Sequence, residues 1–177
     1  ENLAEIVVKL SNAKLVDKEK LENPSNYRLA GFNVVKAVVD GDNVILSLDL
    51  EKTLVKGREY ELVVRGIDKA VNGKYDFKAQ DNTIPAVDTI EVLGEYGIKV
   101  TTTEPVKNPL ERNFLIDGKN VAMIVEQYGR DIILSPYHKA SFDLKAEKLT
   151  VKELVDFEGY KSVEKDFDIE VKKDEVA

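Results

Sequence analysis

A chain of 177 residues suits one domain of ordinary size or two small ones. Apolar residues make up 43% and charged residues 33%, a composition typical of globular proteins. The net charge of −7, without a basic block, argues against nucleic-acid binding, and no apolar run approaches the roughly 18–20 residues of a membrane span. The chain has no Cys and a single His, His138, so disulfides, thiolate metal sites and His-clustered zinc sites are excluded.

Alternating apolar and polar residues predict an almost entirely β protein with short helical turns. Val34–Val39 and Asn43–Leu50 predict a hairpin, because the Asp-Gly dipeptide between them tolerates the positive φ of tight turns. Tyr60–Arg65 predicts another strand, and helical turns are expected at Asp17–Leu21 and near Pro109–Arg112.

Strand-like runs recur at an offset of about 87–92 residues, which predicts two copies of one domain. The matched pairs are Ile6–Leu10 with Ile98–Thr101, Asn26–Leu29 with Asn113–Ile116, Gly41–Leu46 with Gly129–Leu134, Glu61–Val64 with Lys148–Val151, Gly66–Asp68 with Leu154–Asp156, and Tyr75–Phe77 with Asp166–Asp168. Lys145–Val155 is rich in helix formers, but its counterpart Tyr60–Arg65 is strand-like, so a strand is predicted there as well.

The polar stretch around Pro85 predicts a boundary that gives domains at residues 1–83 and 84–177. Val87–Val92 has no counterpart before Ile6, so the first domain is expected to be N-terminally truncated, and the whole chain to be a fragment of a longer protein. The first copy carries 13 cationic and 14 acidic residues, net −1, and the second 13 and 19, net −6. Each copy has the size and strand rhythm of an immunoglobulin-like sandwich, so two tandem immunoglobulin-like β-sandwich domains are predicted.

A motif that the two copies match in part carries a family resemblance; where the first copy has Lys56-Gly57, the second has Lys145-Ala146-Glu147. It comprises Asn-Tyr or Asn-Phe, a Gly, a hairpin, a Lys-Gly-x-x-Tyr-x-Leu-x-Val strand, and then an Asp with a Gly-containing turn; the residues are Asn26-Tyr27, Lys56-Gly57, Tyr60, Asp68, Glu104-Pro105-Val106, Asn113-Phe114, Asp156 and Gly159-Tyr160. The motif resembles the Ig-like repeats of bacterial S-layer and related cell-surface proteins. The resemblance implies an extracellular structural segment of a surface lattice, self-assembling with copies of the parent protein. It also implies attachment to the bacterial cell wall through domains outside this chain, and calcium that rigidifies the domain chain in some members.

No residue pattern indicates an enzyme. Ser135 lies near His138 but lacks the Gly-x-Ser-x-Gly setting of a nucleophile elbow, so His138 is interpreted as an exposed loop residue and a non-catalytic protein is expected. Asp40-Gly41-Asp42 fits the start of an EF-hand template, but Val44 and Ile45 then occupy positions that need a ligand and a Gly, so a hairpin turn is preferred.

A calcium site at the domain junction is the candidate metal site. Oxygen ligands there are Asp76, Asp81, Asn82, Asp88 and Glu104, and side chains from two domains would share one Ca²⁺ and fix the angle between them. The alternative is that these are solvated polar linker residues.

Glu164–Glu170 alternates charged residues around Phe167 and Ile169, which a half-buried strand with a charged outer face explains; in a lattice the same face is a contact surface. Other function classes stay open from the sequence. They are an adhesin stalk, an accessory binding or spacer module of a secreted polysaccharide-active enzyme, and a phage or secretion-system structural protein that uses the same sandwich.

Overall fold

The computed structural model describes residues 2–174, and it is all-β with one helical turn of α type. The strands of this part are β1 Glu5–Lys9, β2 Tyr27–Leu29, β3 Val34–Asp40, β4 Asn43–Leu48, β5 Glu59–Val64, β6 Gly73–Lys78, β7 Val87–Val92, β8 Ile98–Thr102, β9 Phe114–Ile116, β10 Met123–Tyr128, β11 Asp131–Pro136, β12 Lys148–Val151 and β13 Lys165–Asp168. The helical segments are α1 Lys18–Leu21 and 3-10 helices at Ala13–Leu15, Pro24–Asn26, Glu111–Asn113 and Tyr137–Lys139.

The chain divides into two compact units, residues 1–83 and 84–177. In the first unit, one antiparallel sheet has the strand order β1-β4-β3 and the other has the order β2-β5-β6. In the second unit, the orders are β10-β11-β8-β7 and β13-β12-β9. Apart from β7, which has no counterpart in the described part of the first unit, the two strand orders correspond one to one.

The β3–β4 hairpin shows why the alternating pattern folds as it does. Val44, Leu46 and Leu48 lie on one face of β4 and are at most 1% exposed, whereas the residues between them are half-buried. Asp40 pairs with Asn43, so the loop has two residues, and its Gly41 has a φ of 58°. A tight hairpin loop of this length needs positive φ, which Gly adopts without steric cost. The predicted hairpin turn is therefore confirmed at Asp40-Gly41-Asp42.

In the second unit the two sheets share one hydrophobic core. Ile98, Val100, Ile132 and Leu134 come from one sheet, and Phe114, Leu149 and Val151 come from the other; none of these is more than 1% exposed. Two sheets that each bury one face against the other form a β-sandwich. Both ends of each sheet carry loops, and the candidate site lies in two of those loops.

The helical turns are confirmed and one strand prediction is corrected. Asp17 caps α1, because its carboxylate accepts hydrogen bonds from the N–H groups of Glu19 and Lys20. The strand predicted over Lys145–Val155 is shorter, since only Lys148–Val151 forms strand. A turn precedes this strand, and in it the carboxylate of Asp143 accepts a hydrogen bond from the N–H of Lys145.

One repeat match is out of register by one residue. Leu62 pairs with Tyr75 in the first unit, and its counterpart Leu149 pairs with Phe167 in the second. Tyr75 therefore corresponds to Phe167, not to Asp166 as the sequence match had it. The sequence did not reveal this offset, because both segments, Tyr75-Asp76-Phe77 and Asp166-Phe167-Asp168, contain aromatic and acidic residues in alternation.

Candidate functional site

Two loops of the second unit meet at one end of the sandwich. One loop follows β8, and the other connects β12 to β13. The backbone N–H of Lys107 donates to the carbonyl of Val155 across 2.6 Å and joins them. The amide of Asn113 donates to the carbonyls of Lys152 and Glu153, which fixes the start of the second loop. The sequence thus anchors both loops by hydrogen bonds that do not involve their acidic side chains.

Asp156 lies in the second loop and is 1% exposed. Its Oδ1 accepts hydrogen bonds from the backbone N–H groups of Glu158, Gly159 and Tyr160, at 2.9, 2.7 and 2.8 Å. Three donors on one oxygen hold the carboxylate in a single orientation. The other oxygen, Oδ2, is buried and accepts no hydrogen bond from the described residues. Such a buried oxygen costs free energy unless a ligand occupies its open position.

Glu104 lies in the first loop and is 3% exposed. The turn that presents it is tied to β8, because the hydroxyl of Thr102 donates to the Glu104 carbonyl at 2.6 Å. Pro105 and Val106 follow, and both are buried. The backbone around Glu104 is therefore held on both sides, by the Thr102 hydroxyl before it and by the buried Pro105 and Val106 after it.

Glu104 and Asp156 form a pair of buried carboxylates. Each offers one oxygen, and the two oxygens lie within 4.8 Å of each other. At that separation two unit charges repel by about 3.5 kcal/mol at an effective dielectric constant of about 20. Charge of the opposite sign relieves this repulsion, and a divalent cation bound by oxygen ligands supplies such charge most compactly. The pair is chemically suited to hold a hard cation.

The five residues predicted from sequence as calcium ligands fall into two groups. Asp76, Asn82 and Asp88 are exposed, whereas Asp81 and Glu104 are buried. Asp81 is 0% exposed, and its carboxylate accepts a hydrogen bond from the N–H of Thr83 at 3.4 Å.

Sequence reasoning did not place Asp156 among the ligands, although the repeat had matched it to Asp68. The available signal was Gly159, three residues later: with a φ of 104°, it lets the backbone wrap around the Asp156 carboxylate. An Asp followed by such a Gly, and matched in a repeat, marks a loop built around a side chain.

The matched positions of the first unit are built differently. Asn12 stands where the second unit has Glu104; it is exposed, and its side chain accepts a hydrogen bond from the N–H of Lys14 at 3.2 Å. Asp68 matches Asp156, but it is exposed and its carboxylate accepts one described hydrogen bond, from the N–H of Ala70. Within the described residues, only the second unit buries an acidic pair at these loops.

The residues weighed for catalysis lie apart from this pair along the chain. Ser135 is on β11, and His138 is exposed in the 3-10 helix Tyr137–Lys139, as predicted for a loop residue. His138 has a φ of 56°, and its ring lies 4.0 Å from that of Tyr137, centroid to centroid.

Comparison with known proteins gives two relatives and no matching family model. The chain is similar to the "Surface-layer 125 kDa protein" of Lysinibacillus sphaericus, with 34% identity over 99% of the chain. It is also similar to the "Outer cell wall protein" of Brevibacillus brevis, with 28% identity over 95% of the chain. The chain spans 15% and 17% of the lengths of these relatives. The similarity indicates an extracellular, cell-surface location, and no helix in residues 2–174 meets the length and hydropathy that crossing a membrane requires.

Proposed function

We propose that this chain is a structural, non-catalytic segment of a bacterial surface-layer protein, built from two tandem immunoglobulin-like β-sandwich domains. In this proposal it contributes to a cell-surface lattice, assembles with copies of its parent protein, and depends on domains outside this chain for attachment to the cell wall. The observation that carries the proposal is the repeated strand order of the two units, in a chain similar over almost its whole length to a surface-layer protein.

Repetition of a self-contained unit explains how such a segment works. Each unit has its own buried residues, from Val44 and Leu46 in the first to Ile132 and Leu134 in the second. Domains in series then add length without any one core becoming larger. A segment of this kind offers repeated outer surfaces for contacts between copies.

The same proposal includes a calcium ion held by Glu104 and Asp156 of the second unit, whose carboxylate oxygens lie within 4.8 Å of each other. Ca²⁺ prefers six to eight oxygen ligands and accepts carboxylates, backbone carbonyls and water together. The oriented Asp156 carboxylate, whose Oδ2 is buried and accepts no hydrogen bond from the described residues, supports this choice. Mg²⁺ fits less well, because it retains several waters and is seldom bound by dedicated all-protein cages.

Calcium binding is tested by thermal unfolding of the whole chain in calcium, in magnesium and in a chelator. Calcium at about a hundredfold above its dissociation constant is expected to stabilise the folded state by about 2.7 kcal/mol. Asp156→Asn removes the anionic ligand, and Asp68→Asn changes its repeat counterpart in the first unit as the matched control. Loss of the calcium shift in D156N but not in D68N supports the site; equal shifts in both variants contradict it.

The structural role is tested by adding the purified chain to the Lysinibacillus sphaericus surface-layer protein, under conditions in which electron microscopy first shows that this protein alone forms layers. A lattice segment is expected to enter the layers or to slow their growth in a concentration-dependent way, as observed by electron microscopy. An unrelated β-sandwich of similar size and charge is the control. If the chain affects layer formation no more than this control does, the role as a lattice segment is wrong and a passive spacer remains.

A further inference from the structure

A basic groove lies on the outer face of the β2-β5-β6 sheet in the first unit. We define it by Arg28, Arg65 and Lys74, which line a groove of about 550 Å³ together with Val63, Glu61 and Tyr60. Arg28 pairs with Val63, and Val63 pairs with Lys74, so these residues form one row across three strands. The groove has positive charge within a chain of net charge −7.

The two arginines of the basic groove are available for a partner. Arg28 and Arg65 are both exposed, and neither takes part in an ion pair within residues 2–174. Lys74 contacts Glu61 across 3.0 Å, so it neutralises the acidic residue of the groove. Guanidinium groups recognise carboxylates by two parallel hydrogen bonds, which makes exposed arginines in a groove well suited to an acidic partner.

An acidic row lies on the corresponding sheet of the second unit. We define it by Glu164, Asp166 and Asp168, which share one side of β13 and its N-terminal extension and are all exposed. No ion pair within the described residues involves any of the three. The register places Asp166 where the first unit has Lys74, and Leu115 where it has Arg28.

The general spacing of β-strands sets the distances between the charged residues on both surfaces. Alternate residues of an extended strand are about 6.8 Å apart, and neighbouring strands are about 4.8 Å apart. A row of carboxylates along β13 therefore has a spacing that long cationic side chains spread over three strands can reach. Among the described residues, β13 is an outer strand of its sheet, so its exposed carboxylates have a neighbouring strand on one side only.

We infer that the basic groove of one copy binds the acidic row of a second copy of this chain. This inference rests on the proposed function, since it names a contact through which copies assemble. The contact is heterologous: each copy uses a different surface from the one that its partner uses, so it leaves one groove and one row free at the two ends. Interfaces of this kind propagate into open rows unless their rotation closes a ring.

Sedimentation velocity at increasing concentrations of the whole chain, at low and high salt, tests the contact. The wild type is expected to associate at low salt and to dissociate as salt rises. The double variants R28E/R65E and E164K/D168K are each expected to associate at least about tenfold more weakly, because like charges then face each other. K36E/K69E changes the net charge as R28E/R65E does, at exposed positions outside both surfaces, and is expected to retain association.

The most discriminating experiment mixes the two double variants, R28E/R65E and E164K/D168K. One has acid on both surfaces and the other has base on both, so an equimolar mixture regains complementary pairs and is expected to associate again. The inference is overturned if the wild type is monomeric at every concentration, if R28E/R65E and K36E/K69E behave alike, or if the mixture stays monomeric. Binding of polygalacturonate to the groove without self-association also overturns it in favour of a polyanion. None of these outcomes decides the proposed function, which the layer experiment tests separately.

Discussion

The two units share a strand order but differ at the loops where each sandwich ends. In the second unit Glu104 and Asp156 are buried within 4.8 Å of each other, whereas Asn12 and Asp68 of the first unit are exposed. The backbone scaffold is therefore not what creates the acidic pair. Two side chains in two loops create it, and a repeat can gain or lose such a site while its sheets stay the same.

The largest expected effect comes from a core position at which the units differ: the second unit has Phe114 where the first has Tyr27. Phe114 is 0% exposed, and Phe114→Ala is expected to lower the free energy of unfolding of the second unit by about 3–5 kcal/mol, because it leaves a cavity. Urea unfolding followed by circular dichroism measures it, with Leu115→Ala on the same strand, which is half-buried, as the milder control. Equal losses for both variants would contradict the assignment of Phe114 to the core.

The next largest effect is expected from a substitution that gives the second unit the residue found at the matched position of the first. Glu104→Asn places the counterpart of Asn12 in the acidic pair, and the calcium-dependent stabilisation of about 2.7 kcal/mol is expected to fall to near zero. Thermal unfolding with and without calcium measures the change. Asn12→Glu alone is expected to leave the calcium response equal to that of the wild type, because Asp68 stays exposed and no second site forms. A larger response in N12E than in the wild type, or a full response in E104N, would contradict the comparison.

Smaller effects are expected when each unit receives the other's aromatic residue, by Tyr27→Phe in the first unit and Phe114→Tyr in the second. The Tyr27 hydroxyl donates to the Leu21 carbonyl at 2.7 Å, and Tyr27→Phe is expected to cost about 1 kcal/mol of unfolding free energy. In the first unit the acceptor, Leu21, belongs to α1, and the described part of the second unit has no α-helix. Phe114→Tyr therefore buries a hydroxyl without this acceptor and is expected to cost about 1–3 kcal/mol of unfolding free energy. Urea unfolding of both variants measures the costs. A neutral F114Y would show that this hydroxyl finds a partner or reaches water.

Tyr27 also predicts a pH dependence. Burial raises the pKa of its phenol from 10.0 to about 12, so the folded state favours the neutral form. The stability that this provides is complete below pH 10 and is lost as the pH rises toward 12, because the unfolded phenol ionises first. The wild type is therefore expected to lose unfolding free energy relative to Y27F between pH 10 and pH 12. Parallel curves for the two proteins would contradict this.

The smallest effects are expected on the outer faces of the corresponding sheets. Lys74→Ala removes an exposed ion pair with Glu61 and is expected to change stability by less than about 1 kcal/mol. Thr150→Val removes a hydrogen bond to Asp166 of 2.7 Å at a buried hydroxyl, and is expected to cost about 1 kcal/mol. Urea unfolding measures both. A larger cost for K74A than for T150V would reverse the expected order.

Much of the fold could be predicted because period-two patterning and turn chemistry are local. Val44, Leu46 and Leu48 and the Gly41 turn follow from residues a few positions apart. The length of β12 could not be predicted in the same way, since helix formers and the strand pairing of Leu149 oppose each other and only tertiary packing decides between them.

The candidate site was predictable in part. Glu104 and Asp81 could be suggested because acidic residues near a domain boundary are conspicuous in the sequence. Asp156 lies 52 residues after Glu104, and the loops that carry them are joined by the backbone hydrogen bond from Lys107 to Val155, which no local pattern encodes.

The position of the acidic row on β13 has a consequence for aggregation. An outer strand presents backbone groups that can pair with any extended chain, and charged side chains along it make such pairing costly. Glu164, Asp166 and Asp168 alternate with Lys165, Phe167 and Ile169, so the edge that would otherwise recruit strands carries carboxylates on one side. Contacts at this edge are then limited to side chains, which salt can separate, and crowded copies are kept from fusing into continuous, irreversible sheets.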